Sequence, residues 1–489
     1  MFKKLIMNRQ RLLMLFVALL LILLSWWGVV AAKAGLVMRS LLSDDIPLLY
    51  VAQKQKEQMP GVLVAHGFAG SKQLMLGYAH TLAHAGYAVM LWDFGGHAAN
   101  PKQLTHSLEH DLNVAYAALL KQPSVDPTRL ALLGHSMGSG AVMAAAIRNP
   151  DFAATIAVSP TYAVVTPQVP RNLQLQAGGW EPGFVVNAQR LLQQAGGENT
   201  NTAAGNGRSL VIVPNAEHIT ILFRHASHKA AQRWLDATFG IQTNSNYVDS
   251  RMVWYGLHLF AWLILIGAVA PSFMPTYADM QMRLLRSWGG ILLTPFLATG
   301  LLTLLSRFVE IQSLGGVLVG GAVGIWFGIA GTVWLAIMFH LPRLTLRAIG
   351  LGFVLFVLLW IAFGAMAQVV WLQWWLIPTR LKLWFLLSLL CFPWFLASGV
   401  AQQSAGIRSR FLWWLGQSVV LVGGFSLTVQ FLPQLSFIFL LLPLFPLFMA
   451  MLSYIAAMLN EAWIYAIGSA LFFGWVLAAA FPLASYFNF

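Results

Sequence analysis

The apolar positions of this 489-residue chain fall into three regimes. Leu12 to Ala32 is a single apolar run, preceded by Lys3, Lys4, Arg9 and Arg11. From about Gly35 to Arg251 the apolar runs are short and alternate with polar stretches. From Met252 to Phe489 apolar, aromatic and small residues dominate almost without interruption. A run of about 20 apolar residues crosses a hydrocarbon core about 30 Å thick, so the first regime predicts an uncleaved N-terminal signal anchor. Ala31-Ala32-Lys33-Ala34 would also suit cleavage of a signal peptide, but the run exceeds the usual apolar region of about 7–15 residues. Either reading exports the second regime. The pattern divides the chain into an anchor at 1–34, a globular domain at 35–250, and a membrane domain of about eight helices at 251–489.

Breaks within the third regime predict spans near 252–272, 288–306, 314–340, 348–369, 383–400, 411–431, 436–457 and 463–485. With the N-terminus inside, three basic pairs fall in internal loops: Arg283 with Arg286, Arg343 with Arg347, and Arg408 with Arg410. Arg307, balanced by Glu310, falls outside, and Arg380 with Lys382 runs against the pattern. Lys and Arg concentrate in cytoplasmic loops. The bias therefore predicts a multi-pass protein of a bacterial inner membrane, with its globular domain on the periplasmic side.

In the globular domain, short apolar runs at 61–65, 87–92, 130–133, 154–158, 173–176 and 210–213 predict strands. Amphipathic stretches at 71–85, 108–120, 137–148 and 219–239 predict helices, with Ser71 as a cap of the first. Strands that alternate with helices in this way build βαβ units and a parallel sheet. The expected fold is α/β, a doubly wound and mostly parallel sheet, joined to an all-α transmembrane bundle. Ligands of such sheets sit at the carboxyl ends of the strands.

Composition sharpens this picture. The chain is 58% hydrophobic and 9% charged, against about 25% charged residues in soluble domains. A formal net charge of +13 would suggest nucleic acid in a soluble protein, but here Lys and Arg lie mainly at the ends of apolar segments, where headgroups await them. No cluster of Lys and Arg interleaved with aromatics marks the globular domain, so no nucleic-acid partner is expected. The single cysteine, Cys391, excludes an intrachain disulfide.

Gly134-His135-Ser136-Met137-Gly138 fits G-x-S-x-G between an apolar strand and a helix of small residues. In that context the serine sits on a tight turn with its hydroxyl exposed, a nucleophile's position. A nucleophilic serine needs a base, and the base an orienting acid. Downstream, the domain holds only His218, His225 and His228. His218 follows a strand through the turn Pro214-Asn215-Ala216-Glu217, whereas the other two fall within the closing helix. The acid emerges by elimination among Asp151, Glu181, Glu198 and Glu217. Asp151 precedes its strand, Glu198 lies in a polar loop, and Glu217 adjoins the base. Glu181 remains, directly after the strand at 173–176. Oxyanion donors are expected from the Met137 N–H and the Phe68 N–H, the latter in His66-Gly67-Phe68-Ala69-Gly70 at an earlier strand end. His66, Asp93 and His97 do not supply four convergent metal ligands. No metal and no cofactor are expected.

These residues give the chain a clear resemblance to the α/β-hydrolase family over about residues 45–240. It rests on His66-Gly67-Phe68, Asp93-Phe94-Gly95-Gly96-His97, the Ser136 motif and Asn215-Ala216-Glu217-His218. The resemblance implies hydrolysis of esters, amides or thioesters through an acyl-serine, with Ser136 as nucleophile, His218 as base and Glu181 as acid. Many members carry Asp where Glu181 stands, and a lid where this chain has only Thr161 to Arg171.

The membrane domain is poor in ionisable residues. His258 and His340 lie in or at the ends of spans, while Glu310 and Glu461 fall in loops. Ion-coupled transport normally uses intramembrane acids or bases, which argues against a transporter. The expected function is a serine hydrolase of the esterase or lipase kind, acting on acyl esters of lipids or envelope molecules, with the bilayer and that ester as partners. Acyl transfer by the same triad and a non-catalytic receptor on a hydrolase fold are the alternatives.

Overall fold

The computed structural model describes residues 8–102, 108–243, 245–269, 284–338, 341–403 and 405–484. Lys3, Lys4, Arg283 and His340 lie outside the described residues. Two compact units separate. One comprises Trp27–Trp254 with Ala367–Trp375; the other comprises Met1–Trp26, Tyr255–Met366 and Leu376–Phe489.

Helix α1 (Arg9–Ala31) is shared between the units, which divide at Trp26 and Trp27. The sheet of the first unit has eight strands: β1 (Leu36–Ser43), β2 (Ile46–Gln53), β3 (Met59–Ala65), β4 (Ala88–Trp92), β5 (Val125–His135), β6 (Phe152–Val158), β7 (Leu173–Gly178) and β8 (Arg208–Val213). Their spatial order is β1-β2-β4-β3-β5-β6-β7-β8. The pairs from β4 to β8 are parallel, and β2 is antiparallel to both β1 and β4. Every residue of β3 and β4 is buried, as continuous apolar runs require when helices cover both faces.

Helices α2 (Leu76–His84), α3 (Leu108–Leu120), α4 (Met137–Arg148), α5 (Pro182–Gln194) and α6 (His225–Phe239) supply that cover. Leu76, Tyr78 and Leu82 of α2 pack with Ala231 and Leu235 of α6 over Val62, Val64 and Val89. On the other face Leu112 and Leu119 of α3 pack with Val142 and Ala146 of α4 over Leu63, Met90 and Leu132. This is the doubly wound, mostly parallel sheet expected from the alternation of apolar runs and amphipathic stretches, and the α/β-hydrolase fold that the resemblance implies.

Three local readings change. The hairpin of β1 and β2 is absent from the expected elements; it turns at Asp44 and Asp45, both at positive φ (47° and 57°). Helix α2 begins at Leu76, five residues after the expected cap, because Ser71 Oγ instead accepts from Leu74 N at 3.3 Å in the preceding turn. The closing helix divides: a 3-10 turn over Thr220–Phe223 precedes α6, so His225 starts a helix rather than sitting inside one.

The second unit is helical. Among the described residues eight helices are long and apolar enough to cross a membrane, or nine if Pro433–Leu440 and Leu444–Leu459, bent by 60°, form one span. Its core is aromatic: Trp326 lies 4.5 Å from Phe425, and Phe327 lies 5.0 Å from Phe473, between ring centroids.

Candidate active site

The turn from β5 into α4 places Ser136 at φ 51° and ψ −120°. Backbone this far from the usual regions costs about 1–3 kcal/mol and persists only where its surroundings hold it. The Ser136 N–H donates to Val158 O at 2.9 Å. Ser139 Oγ donates to Ser136 O at 2.5 Å and accepts from Thr161 N at 3.0 Å. The flanking glycines are sterically required. A Cβ on Gly134 would come within 2.3 Å of Gly138 O, and one on Gly138 within 2.5 Å of His66 O.

Ser136 Oγ lies 3.0 Å from His218 Nε2, and His218 Nδ1 lies 2.9 Å from Glu181 Oε2. The three residues come from the ends of β5, β8 and β7. With Nδ1–H donating to the carboxylate, Nε2 is the acceptor that faces the serine hydroxyl. The carboxylate is fixed on its other oxygen as well: Glu181 Oε1 accepts from Ser159 Oγ at 2.7 Å and from Gly178 N at 2.5 Å. His218 is held from two further sides. His135 Nε2 donates to its carbonyl at 2.9 Å, and the Phe184 ring stacks on it at 4.4 Å.

The other carboxylates are accounted for. Glu217 accepts from Ile219 N and Thr220 N at 2.9 and 2.6 Å, capping the 3-10 turn. Asp151 and Glu198 are exposed, and Asp151 precedes β6. His228 is buried and bonds Leu222 O at 2.8 Å, away from the serine.

Met137 is the first residue of α4, where a backbone N–H has no carbonyl one turn earlier. Phe68 lies in the turn closed by Gly70 N donating to Gly67 O at 3.0 Å. His66 braces that turn. Phe94 N donates to its Nε2 at 3.0 Å, so its Nδ1–H donates to Gly67 O at 2.7 Å. Burial pushes the His66 pKa down to about 4, which keeps this tautomer neutral. Burial, then the charge of His218, likewise pushes His135 well below the ordinary histidine range.

Asp93 is committed to structure. It pairs with Lys72 Nζ, accepts from Lys72 N at 2.8 Å, and its carbonyl accepts from Asn100 Nδ2 at 2.8 Å. Among the described residues, no group of three or more His, Cys, Asp or Glu is placed to hold a metal ion.

Sequence reasoning names Ser136, His218, Glu181, Phe68 and Met137, and the first three converge within hydrogen-bond distance. It passes over His135, Ser159 and Phe184. His135 carries a signal, since it occupies the second position of the serine motif; the other two are revealed only by long-range packing.

Residues 57–207 match the family model Hydrolase_4, serine aminopeptidase S33. An uncharacterised protein of Mycobacterium tuberculosis is 34% identical over 102 residues, 21% of this chain and 36% of its own. The quorum-quenching protein AidA of Acinetobacter baumannii is 32% identical over 107 residues, 21% and 35% of the two chains. Cutinase 2 of Thermobifida cellulosilytica is 29% identical over 103 residues, 20% and 38%. The chain thus spans little more than a third of the length of these curated relatives. Among solved structures, a bacterial membrane phospholipase A is similar at 16% identity and a TM-score of 0.34, covering 46% of this chain and 93% of that one. Residues 57–207 thus resemble a serine-hydrolase family, and the relatives they match include cutinases.

Proposed function

We propose that this protein is a membrane-bound serine hydrolase that cleaves acyl esters of lipid or envelope molecules through an acyl-serine intermediate. The observation that carries the reading is the relay Ser136 Oγ to His218 Nε2 at 3.0 Å and His218 Nδ1 to Glu181 Oε2 at 2.9 Å, on a strained strand-to-helix turn. Ser136 Oγ attacks the ester carbonyl while His218 Nε2 takes its proton. Glu181 orients the imidazole and stabilises the imidazolium. The Met137 and Phe68 N–H groups receive the developing oxyanion, each such donor supplying about 3 kcal/mol. His218 then protonates the departing alkoxide, leaving acyl-Ser136. Water, deprotonated by His218, attacks that acyl group, releasing the acid and restoring the serine.

An apolar substrate is supported by the large apolar side chains on the segments after β6 and β7. Tyr162 is 71% exposed, Trp180 65% and Val186 64%. Arg190 lies over the Tyr162 ring, and Asn187 Nδ2 bonds Pro160 O at 2.6 Å, so α5 and the 160–162 segment form one surface. The layout we propose is an anchor at 1–34, a hydrolase domain at 35–250 and a membrane domain at 251–489, with the hydrolase on the periplasmic side of a bacterial inner membrane. The three basic internal pairs support that orientation.

The test is product analysis with full-length protein in vesicles containing phospholipid and a p-nitrophenyl ester, with and without an added alcohol. Free carboxylic acid as the main product supports hydrolysis. An acyl-alcohol product at the expense of acid would show acyl transfer. No turnover of any ester by folded protein would refute the proposal.

A further inference from the structure

Residues Ala367–Trp375 take in the last four residues of the apolar segment Leu346–Val370 and the stretch that leads toward Pro378–Gln402, yet they pack within the hydrolase unit. Leu372 and Trp374 are buried there. The segment is closed on itself by side chains. Gln368 Oε1 accepts from Trp374 N at 2.6 Å and Trp375 N at 3.1 Å, and Gln368 Nε2 donates to Gln373 Oε1 at 3.2 Å. Gln373 Nε2 donates to Trp375 O at 3.0 Å. A strap built this way has little freedom of its own.

Two attachments tie the strap to the rest of the unit. Arg251, held bidentate by Asp249 at 2.7 and 2.8 Å, donates to Val369 O at 3.3 Å. Gln73 Nε2 donates to Gln373 Oε1 at 2.5 Å, and both side chains are buried. Gln73 lies in the loop that joins β3 to α2, whose 66–73 stretch begins at His66 and carries Phe68. Its neighbour Lys72 is fixed to Asp93 through both backbone and side chain. At the other end of the loop a Cβ on Gly67 would come within 3.0 Å of Ser136 Cβ, so loop and nucleophile are in close register. A hydrogen bond at Gln73 therefore acts on the same loop that carries Phe68, the proposed oxyanion donor.

We propose that Gln373 is a positioning residue, which acts through Gln73 to hold the 66–73 loop and its Phe68 N–H in place for the oxyanion. This rests on the serine-hydrolase reading above. The strap is covalently continuous with an apolar segment at each end.

The experiment uses full-length protein in detergent, with p-nitrophenyl butyrate as substrate and active sites counted by titration with a fluorophosphonate. Complete loss of an oxyanion donor costs about 100- to 1,000-fold in kcat, so a displaced one in Gln373→Ala should cost about 10-fold per titrated site. KM should stay within about 2-fold, since only transition-state binding is touched. A trifluoromethyl ketone, which forms an oxyanion on Ser136, should bind more weakly by the same factor as kcat falls. Gln373→Glu keeps the oxygen that accepts from Gln73 but loses the donor to Trp375 O, so it should recover part of the loss. Gln73→Ala should reproduce it, with the double variant adding little. If Gln373→Ala lowers only the number of titratable sites and leaves kcat per site unchanged, the strap is a structural tie and the inference is overturned. Independent, multiplying effects of the two glutamines would overturn it too. Wild-type protein that neither titrates nor turns over would refute the hydrolase reading itself, a different result from either.

Discussion

Ser159 Oγ donates at 2.7 Å to Glu181 Oε1, the carboxylate oxygen that does not face His218. With Gly178 N on the same oxygen, the carboxylate cannot rotate away from the imidazole. Removing a hydrogen bond to a charged group costs about 1.5–3 kcal/mol, part of which falls on the catalytic geometry. Ser159→Ala should therefore lower kcat/KM about 10-fold, while Glu181→Ala should lower it at least about 100-fold. Steady-state kinetics on a soluble ester reads both. Equal activity of Ser159→Ala and wild type would remove Ser159 from the relay.

His135 bonds the carbonyl of His218 from inside the serine motif. Its loss leaves a buried carbonyl without that donor, at about 1–3 kcal/mol. His135→Phe should lower the melting temperature of the hydrolase domain and slow turnover, because the base loses its backbone anchor. A variant that melts with the wild type would show that the bond contributes nothing.

The buried pair Lys72 and Asp93 offers a sharper stability test, since their side chains are 8% and 0% exposed. Breaking one half of a buried pair costs about 3–5 kcal/mol, because the other charge is stranded. Lys72→Met should be strongly destabilising in thermal melts, and adding Asp93→Asn should restore part of the loss. A double variant worse than the single one would contradict this.

Acid should weaken the fold. Burial holds His66 neutral down to about pH 4 and shifts His80, His135 and His228 in the same direction. In the unfolded chain each takes up a proton near pH 6.5. Between about pH 6.5 and 4 the unfolded state binds more protons, so stability rises with pH across that window and falls on acidification. Melting temperatures should drop steadily from pH 7 to pH 5. A flat profile would mean that these rings take up protons in the native state over the same range as in the unfolded chain.

The parallel part of the sheet was legible because doubly covered strands such as 61–65 and 130–133 are unbroken apolar runs with turn residues at their ends. The β1–β2 hairpin was not. Its edge strand has a single buried residue, Leu36, and its turn uses Asp44-Asp45 rather than the Asn-Gly or Asp-Gly that signals such a turn. The Ser136, Glu181 and His218 set could be read because chain order and a short supply of carboxylates left few choices. Ser159 and Gln373 could not be read, since their partners lie 22 and 300 residues away and nothing in local pattern encodes such contacts. The strap falls mostly in the loop expected between the spans 348–369 and 383–400, and nothing in a loop's local pattern says what it packs against.

The most direct measurement is to treat membranes carrying the full-length protein with a fluorophosphonate and map the adduct by peptide mass spectrometry. The expected result is a single adduct on Ser136, absent in Ser136→Ala and strongly slowed in His218→Ala. Folded wild-type protein that stays unlabelled, or an adduct on any other serine, would contradict the assignment of Ser136 as an activated nucleophile.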